Sequence, residues 1–182
     1  MRFILYDGDT SNSRGRTGVA SPDMIQLIRP HVPLIEMARK AARERGQHYN
    51  QFLVGAAGTF EMPDGSRQQF VGGNYKPTPG TQKKCAEHFM FEKAKAAGAV
   101  RVVVIAVAGP QKQDDESGVE GLTLHPCGVC RALMRQNRMV DDNTLIVTVQ
   151  FSNGEPIAVE LPTATVEVHS LRGLLAFHHD PT

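Results

Sequence analysis

Apolar residues follow a helical period near the start of the chain and a strand period further along. Between Met24 and Arg45 they recur at roughly helical spacing. Pro30 and Pro33 interrupt this pattern, because proline has no N–H to donate and its ring clashes with the preceding turn. The pattern therefore predicts a short helix, a break, and a second helix over about 33–45.

Runs rich in β-branched and apolar residues predict the strands. Residues 52–60 and 67–73 flank a Pro-Asp-Gly turn, which is typical of a hairpin. Residues 100–109 are almost continuously apolar, as expected of a strand buried on both faces. Shorter strands are predicted at 144–151 and 165–170.

Helical segments alternate with these strands. They are predicted at 83–98, at 127–137 and, as a terminal turn, at 171–177, while the polar residues 110–121 predict a loop. A hairpin followed by helix–strand–helix–strand alternation indicates a mixed sheet with helices on both faces. We therefore expect an α/β protein with a three-layer α/β/α sandwich.

The beginning of the chain has a different composition. Residues 8–22 are rich in Gly, Ser and Thr and offer little to bury, so they predict a loop or an arm. We expect residues 1–30 to form an N-terminal extension and residues 31–182 to form one domain. The first twelve residues reach acidic and polar side chains too early for a secretory signal peptide.

Composition and charge exclude several classes of partner. The chain has 182 residues, of which 41% are hydrophobic and 21% charged, and its formal net charge is +1. This balance gives no electrostatic basis for binding nucleic acid or a membrane surface. The three cysteines are too few and odd in number for a disulfide framework, so we expect reduced thiols and a cytoplasmic protein.

The cysteines carry the chemistry of the sequence. Cys127 and Cys130 lie three positions apart near the start of one predicted helix, and Cys85 lies near the start of another. Helix N-termini favour the thiolate, which is the form that binds metal. A Cys-x-x-Cys pair can be a redox dithiol, part of a closed structural zinc site, or part of an open catalytic zinc site.

The fourth ligand position distinguishes a closed structural zinc site from an open catalytic one. The chain has no fourth cysteine, and none of its histidines (among them His88, His125, His178 and His179) stands in a motif with these cysteines. Glu87 follows Cys85 by two residues and is near enough to reach a water at an open corner. Such a carboxylate can carry a proton from the water to a leaving amine.

Together these motifs resemble the cytidine deaminase superfamily. Cys-Ala-Glu at 85–87 and Pro-Cys-Gly-Val-Cys-Arg at 126–131 resemble the zinc motifs of its small three-cysteine members. The segments YNQFLVGAA at 49–57, GGNYK at 72–76 and LLAF at 174–177 resemble further family segments. The resemblance spans roughly residues 33–177.

The resemblance implies a cytidine deaminase-like fold, a Zn²⁺ cofactor and a homo-oligomer, either tetramer or dimer, that serves pyrimidine salvage. It assigns the metal ligands and the proton carrier to Cys85, Cys127, Cys130 and Glu87. It implies that the small-molecule substrate is bound by Phe52 against the pyrimidine, Asn74 on a ribose hydroxyl, and the backbone of Ala86 and of His125-Pro126.

Lys76 and His88 are among the positions that depart from the family pattern. Lys76 stands where the family has a ribose-binding Glu, and an ammonium donates hydrogen bonds where a carboxylate accepts them. Blasticidin S deaminases look like relatives of this chain, and they also lack the ribose-binding Glu. His88 replaces an Arg that follows Cys-Ala-Glu in many small members, and it could donate to a cysteine sulfur instead.

The leading hypothesis is zinc-dependent deamination of a cytidine-like or deoxycytidine-like nucleoside with release of ammonia. The first alternative is a deaminase of a modified or anionic aminoheterocycle such as blasticidin S. The second is a zinc-bearing binding protein without turnover, and the intact Cys85, Glu87, Cys127 and Cys130 argue against it.

Overall fold

In the computed structural model of the protein, the described residues are 2–5, 16–19, 22–110, 123–160 and 164–178, with side chains described from residue 25 onward except at residue 177. The strands in these ranges are β1 (Arg2–Leu5), β2 (Arg16–Val19), β3 (Gln47–His48), β4 (Gly55–Glu61), β5 (Arg67–Gly73), β6 (Tyr75–Lys76), β7 (Arg101–Gly109), β8 (Leu145–Gln150) and β9 (Val166–Ser170). The helices are α1 (Pro22–Ile28), α2 (Val32–Arg45), α3 (Ala86–Ala96), α4 (Gly128–Gln136) and α5 (Leu171–Phe177), and a 3₁₀ turn, Arg29–His31, separates α1 from α2.

Seven of the strands form one mixed sheet in the order β2-β1-β9-β8-β7-β4-β5. The β7–β8 and β1–β9 pairs are parallel, and the other pairs in this sheet are antiparallel. β3 and β6 form a separate parallel pair. The parallel β7–β8 pair requires a crossover, which contains α4.

Helices cover both faces of the sheet, which confirms the predicted three-layer sandwich. On one face α2 buries Ile35 and Ala38 in a cluster with side chains of β7, β8 and β9. On the other face α3 and α5 bury Met90 and Leu174 in a second cluster. Because both faces are covered, side chains pointing either way from β7, β8 and β9 lie in the interior.

Most of the predicted elements are present. The interruption at Pro30 and Pro33, the hairpin of β4 and β5, and the helices and strands from α3 to α5 are confirmed within a few residues at their ends. The predicted loop at 110–121 lies outside the described residues apart from Pro110.

The predicted loop at 8–22 was wrong where the structure describes it. Residues 16–19 form β2, which pairs with β1, and β1 in turn pairs with β9. Neither four-residue strand has a strong pattern of its own, and each depends on a partner strand that local sequence cannot reveal. The segment predicted as an N-terminal extension thus adds two strands to the sheet, and a domain boundary near residue 31 stays a prediction.

Two glycines allow the helices to approach the sheet closely. A Cβ atom at Gly55 would lie 2.0 Å from the carbonyl oxygen of Ala38 in α2. A Cβ atom at Gly72 would lie 2.1 Å from the carbonyl oxygen of Ala86 in α3. Glycine at position 72 therefore fixes how near the first turn of α3 lies to β5.

Within the described part of the chain, no helix has both the length and the apolar character needed to cross a membrane.

Candidate active site

The three cysteines lie at the N-termini of two helices that converge on one point. Cys85 is the N-cap residue of α3 and Cys127 the N-cap residue of α4, both with extended backbone. Cys130 lies in the first turn of α4 and is buried. Neither N-cap side chain bonds to the backbone of its own helix, so both sulfurs face the space between the helix ends.

The sulfur atoms lie close enough to share one metal ion. The Cys85 and Cys127 sulfurs are 3.5 Å apart, and those of Cys127 and Cys130 are 3.4 Å apart. All three are free thiols rather than disulfides. Sulfur ligands about 2.3 Å from a tetrahedral zinc have a similar mutual spacing, so these residues fit the zinc that the sequence predicts.

The cysteines strongly affect one another's ionisation. Hydrogen bonding with Cys130 and Cys85 lowers the pKa of Cys127 well below its usual value. Hydrogen bonding to Cys127 raises the pKa of Cys85 to about 12, with smaller contributions from burial and from the charge of Glu87. Thiolate character is thus concentrated on Cys127, between its two neighbours.

Glu87 lies beside this cluster in the first turn of α3. It is only 3% exposed, and burial raises its pKa to about 7. A carboxyl group whose pKa lies near neutral pH can both accept and release a proton, as a proton carrier must. Its position next to three thiols and away from solvent is unusual for a residue with only a structural function.

The Asn74 side chain is hydrogen-bonded to the backbone of the segment that contains Phe52. The Asn74 side-chain oxygen accepts from the Val54 N–H at 2.9 Å, and its amide nitrogen donates to the Phe52 carbonyl at 2.8 Å. Asn74 is 4% exposed, and Phe52 is partly buried. Asn74 therefore holds the backbone on both sides of Leu53, and its predicted contact with a ribose hydroxyl would use its remaining donor and lone pair.

Lys76 is partly exposed beside an aromatic ring. Its Nζ lies 5.5 Å from the centre of the Tyr49 ring, which is cation–π distance. Burial lowers the pKa of His48, and the charges of Lys76 and Lys83 lower it further. The Lys83 charge also lowers the pKa values of Glu87 and Cys127. Lys83 is therefore the lysine whose charge acts on both the cysteine site and His48, while that of Lys76 acts on His48.

The remaining predicted residues differ in their surroundings. Ala86 is fully buried at the start of α3 and Pro126 is buried before α4. His88 is partly buried, and among the described hydrogen bonds it has none to a cysteine sulfur. A cavity of about 580 Å³ lies beside β3, but neither the cysteines nor Glu87 line it.

The comparison with family models decides which family has this arrangement. The model described as the cytidine and deoxycytidylate deaminase zinc-binding region matches residues 29–147, which include all three cysteines and Glu87. The chain belongs to this family. The predicted membership of the cytidine deaminase superfamily is thereby confirmed.

Solved structures of deaminases have the same fold. The chain is similar to a cytidine deaminase from Burkholderia pseudomallei, with 27% identity and a TM-score of 0.56 over 79% of this chain and 94% of that one. It is also similar in fold to a cytidine deaminase from Mycobacterium leprae, with 24% identity and a TM-score of 0.52 over 79% and 94% of the two chains. No match was found among curated protein sequences.

Sequence reasoning missed a buried polar network next to the cysteines of this deaminase. The Glu167 side chain is fully buried on β9, and its Oε2 atom lies 2.7 Å from Nε2 of His125. The same oxygen accepts from the Thr123 N–H at 3.0 Å and from the Thr123 hydroxyl. The other ring nitrogen of His125 lies 2.9 Å from Nε2 of His178.

His178 is thus part of this buried network. It is the C-cap residue of α5 and is 7% exposed, whereas His179 lies outside the described residues. A signal for the network was present in Val166-Glu167-Val168-His169. In an interior strand covered on both faces, alternation must bury both Glu167 and His169.

Proposed function

We propose that the protein catalyses zinc-dependent hydrolytic deamination of a cytidine-like aminopyrimidine nucleoside. The observation that carries this proposal is the buried Glu87 beside three cysteine sulfurs at two helix N-termini. A structural zinc site would need a fourth closed ligand and would have no use for a buried acid at its side.

Zinc held by Cys85, Cys127 and Cys130 would supply a Lewis acid that activates water. Glu87 takes one proton from the attacking water and delivers it to the ring nitrogen, and it then transfers the second proton of that water to the departing amine. The new C–O bond forms at the ring carbon whose C–N bond breaks, so one water is consumed and one ammonia leaves. The burial of Glu87 suits this exchange, because its carboxyl group is ready to take and return a proton near neutral pH.

The substrate base would lie between the two helix ends. In this proposal Phe52 packs against the pyrimidine, the backbone of Ala86 and of His125-Pro126 binds its polar edge, and Asn74 binds a ribose hydroxyl. The hydrogen bonds of Asn74 to the backbone at Phe52 and Val54 support a fixed position for the residues proposed to contact the base and the sugar.

The proposal is tested by measuring ammonia release from cytidine and deoxycytidine by the purified protein and by Glu87→Gln. Turnover by the parent chain and its loss in the variant, with zinc retained in both, is the expected result. A Glu87→Gln protein as active as the parent would remove Glu87 from the mechanism.

A second candidate is a deaminase of an anionic aminoheterocycle. The charges of Lys76 and Lys83 both lower the pKa of His48. The charge of Lys83 also lowers the pKa values of Glu87 and Cys127. Among the described residues neither lysine forms an ion pair with a carboxylate. Two cations with no carboxylate partner in the described part of the chain favour a substrate that carries a phosphate or a carboxylate. Comparing kcat/KM for cytidine, cytidine monophosphate and blasticidin S distinguishes the two candidates.

The proposal includes a cytoplasmic homo-oligomer, tetramer or dimer, that acts in pyrimidine salvage. The free thiols agree with a reducing compartment. Light scattering on the purified protein measures the oligomeric state, and a monomer at working concentration would contradict this part of the proposal.

A further inference from the structure

A single carboxylate oxygen anchors the segment that leads into Cys127. Oε2 of Glu167 interacts with the backbone N–H of Thr123, the hydroxyl of Thr123 and the ring of His125. All three donors come from residues 123–125, so one acceptor fixes both the path and the side-chain direction of this segment. Thr148 on β8 adds a hydroxyl 2.5 Å from that of Thr123.

Glu167 is well placed to serve as an anchor. Its strand β9 is paired on both sides, with β1 and with β8, so its backbone cannot easily shift. Burial alone would raise the pKa of Glu167, but hydrogen bonding from His125 and the charge of His125 outweigh it, so the pKa is lowered. A buried carboxylate that stays ionised keeps its partners at close range.

The anchored segment connects directly to the site. His125 is held on its other side by His178 at the end of α5. The next carbonyl, that of Pro126, accepts from Nη1 of Arg131 in α4 at 2.9 Å. Cys127 follows immediately, so it lies between an anchor on the sheet and an anchor on α4.

We infer that Glu167, acting through His125 and Thr123, is a positioning residue that fixes Cys127 and the backbone of His125-Pro126. This inference rests on the proposed function, because it assigns a purpose to the segment only if Cys127 binds metal. The described contacts of the Glu167 carboxylate are with Thr123 and His125 rather than with the cysteines or Glu87, so in this inference it acts by keeping the contacts of metal and substrate in register.

Substituting Glu167 tests this with a probe that does not depend on substrate identity. Glu167→Leu removes the acceptor from all three donors, and Glu167→Gln keeps an oxygen but loses the charge. Val168→Ala is the matched control, because Val168 is the next residue of β9 and packs into the core on the opposite face. Each chain is loaded with Co²⁺, whose visible bands report the geometry of thiolate ligands.

We expect Glu167→Leu to shift the cobalt bands and to lower kcat/KM on the substrate about 100-fold, and Glu167→Gln to act in the same direction by about 10-fold. Val168→Ala should destabilise the fold yet leave the bands and kcat/KM within about twofold. If Glu167→Leu fails to fold, the cobalt bands and kcat/KM of Glu167→Gln provide the test.

Three outcomes would overturn the inference. The first is unchanged bands and kcat/KM in a folded Glu167 variant. The second is an equal change in Val168→Ala, which would reduce the effect to general stability. The third is that the parent chain binds a second metal ion and the Glu167 variants lose it, because the network around Glu167 would then be a metal site. A parent chain that binds Co²⁺ but deaminates no test compound would contradict the proposed function, while its cobalt bands would still test Glu167.

Discussion

Cys85 and Cys127 are separated by 42 positions in the chain, and their sulfur atoms lie 3.5 Å apart. Each is the N-cap residue of a helix, so their contact requires α3 and α4 to begin at the same point. The sheet enforces this, because α3 packs on β5 through Gly72 and the segment before α4 is tied to β9. The site is thus a product of the whole fold rather than of one loop.

The three sulfurs should bind about one zinc per chain. Replacing Cys127 by Ser removes the central thiolate, so we expect the metal content of purified protein to fall close to zero. Val129→Ser is a suitable control, because Val129 lies between the two α4 cysteines and is 66% exposed. Metal analysis by mass spectrometry measures both, and an active parent protein without metal would contradict the site.

Glu87→Gln should keep zinc but lower kcat by about 10²- to 10⁴-fold, because the amide cannot carry a proton. Glu92→Gln is the matched control on the same helix, where Glu92 forms an exposed ion pair with Lys84. We expect its kcat to equal that of the parent. Equal losses in the two variants would mean that the effect is not specific to the buried acid.

Lys76→Glu should distinguish the two substrate classes. If Lys76 faces the sugar, the new carboxylate can accept from its hydroxyls, and kcat/KM for cytidine should rise while that for cytidine monophosphate falls. Lys95→Glu changes the net charge equally from the exposed end of α3. Unchanged ratios in Lys76→Glu would show that its ammonium points away from the bound substrate.

Gly72→Ala should destabilise the protein by about 1–3 kcal/mol, because its Cβ would lie 2.1 Å from the Ala86 carbonyl oxygen and must push α3 away. Gly80→Ala is the control, since nothing lies within 4 Å of a Cβ there. Urea denaturation measures both variants. A Gly72→Ala protein as stable as the parent would mean that α3 has room to move.

Stability should fall as the pH decreases below about 6.5 because of His169. Burial lowers the pKa of this residue to about 3, and His125, Glu167 and His178 surround it. The unfolded chain therefore takes up a proton that the folded chain refuses, and the loss between about pH 8 and pH 5 should reach about 2 kcal/mol.

His169→Gln provides the test of that assignment. The variant lacks the titrating group, so its urea-denaturation stability should change less over the same pH range than that of the parent. Identical pH dependence in the two proteins would assign the loss to other groups.

The sequence sufficed for the elements with strong local patterns. The apolar run of β7, the Pro-Asp-Gly hairpin and the cysteine motifs each carry their own information, and the family comparison agrees with them. β1 and β2 were missed because strands of four residues depend on distant pairing. The approach of Glu167 to His125 was missed for a related reason, since their contact is set by the packing of α5 and the 123–127 segment against β9.

The pairing of β1 with β9 also bears on how the protein folds. Phe3 lies opposite Val166, so two strands that are far apart in the sequence are parallel neighbours in the sheet. Contacts between such distant residues form slowly, and until they form, the edge of β9 that pairs with β1 stays available to other chains. This edge is where we expect misassembly to begin during folding, and dependence on chaperones should be greatest before β1 has paired with β9.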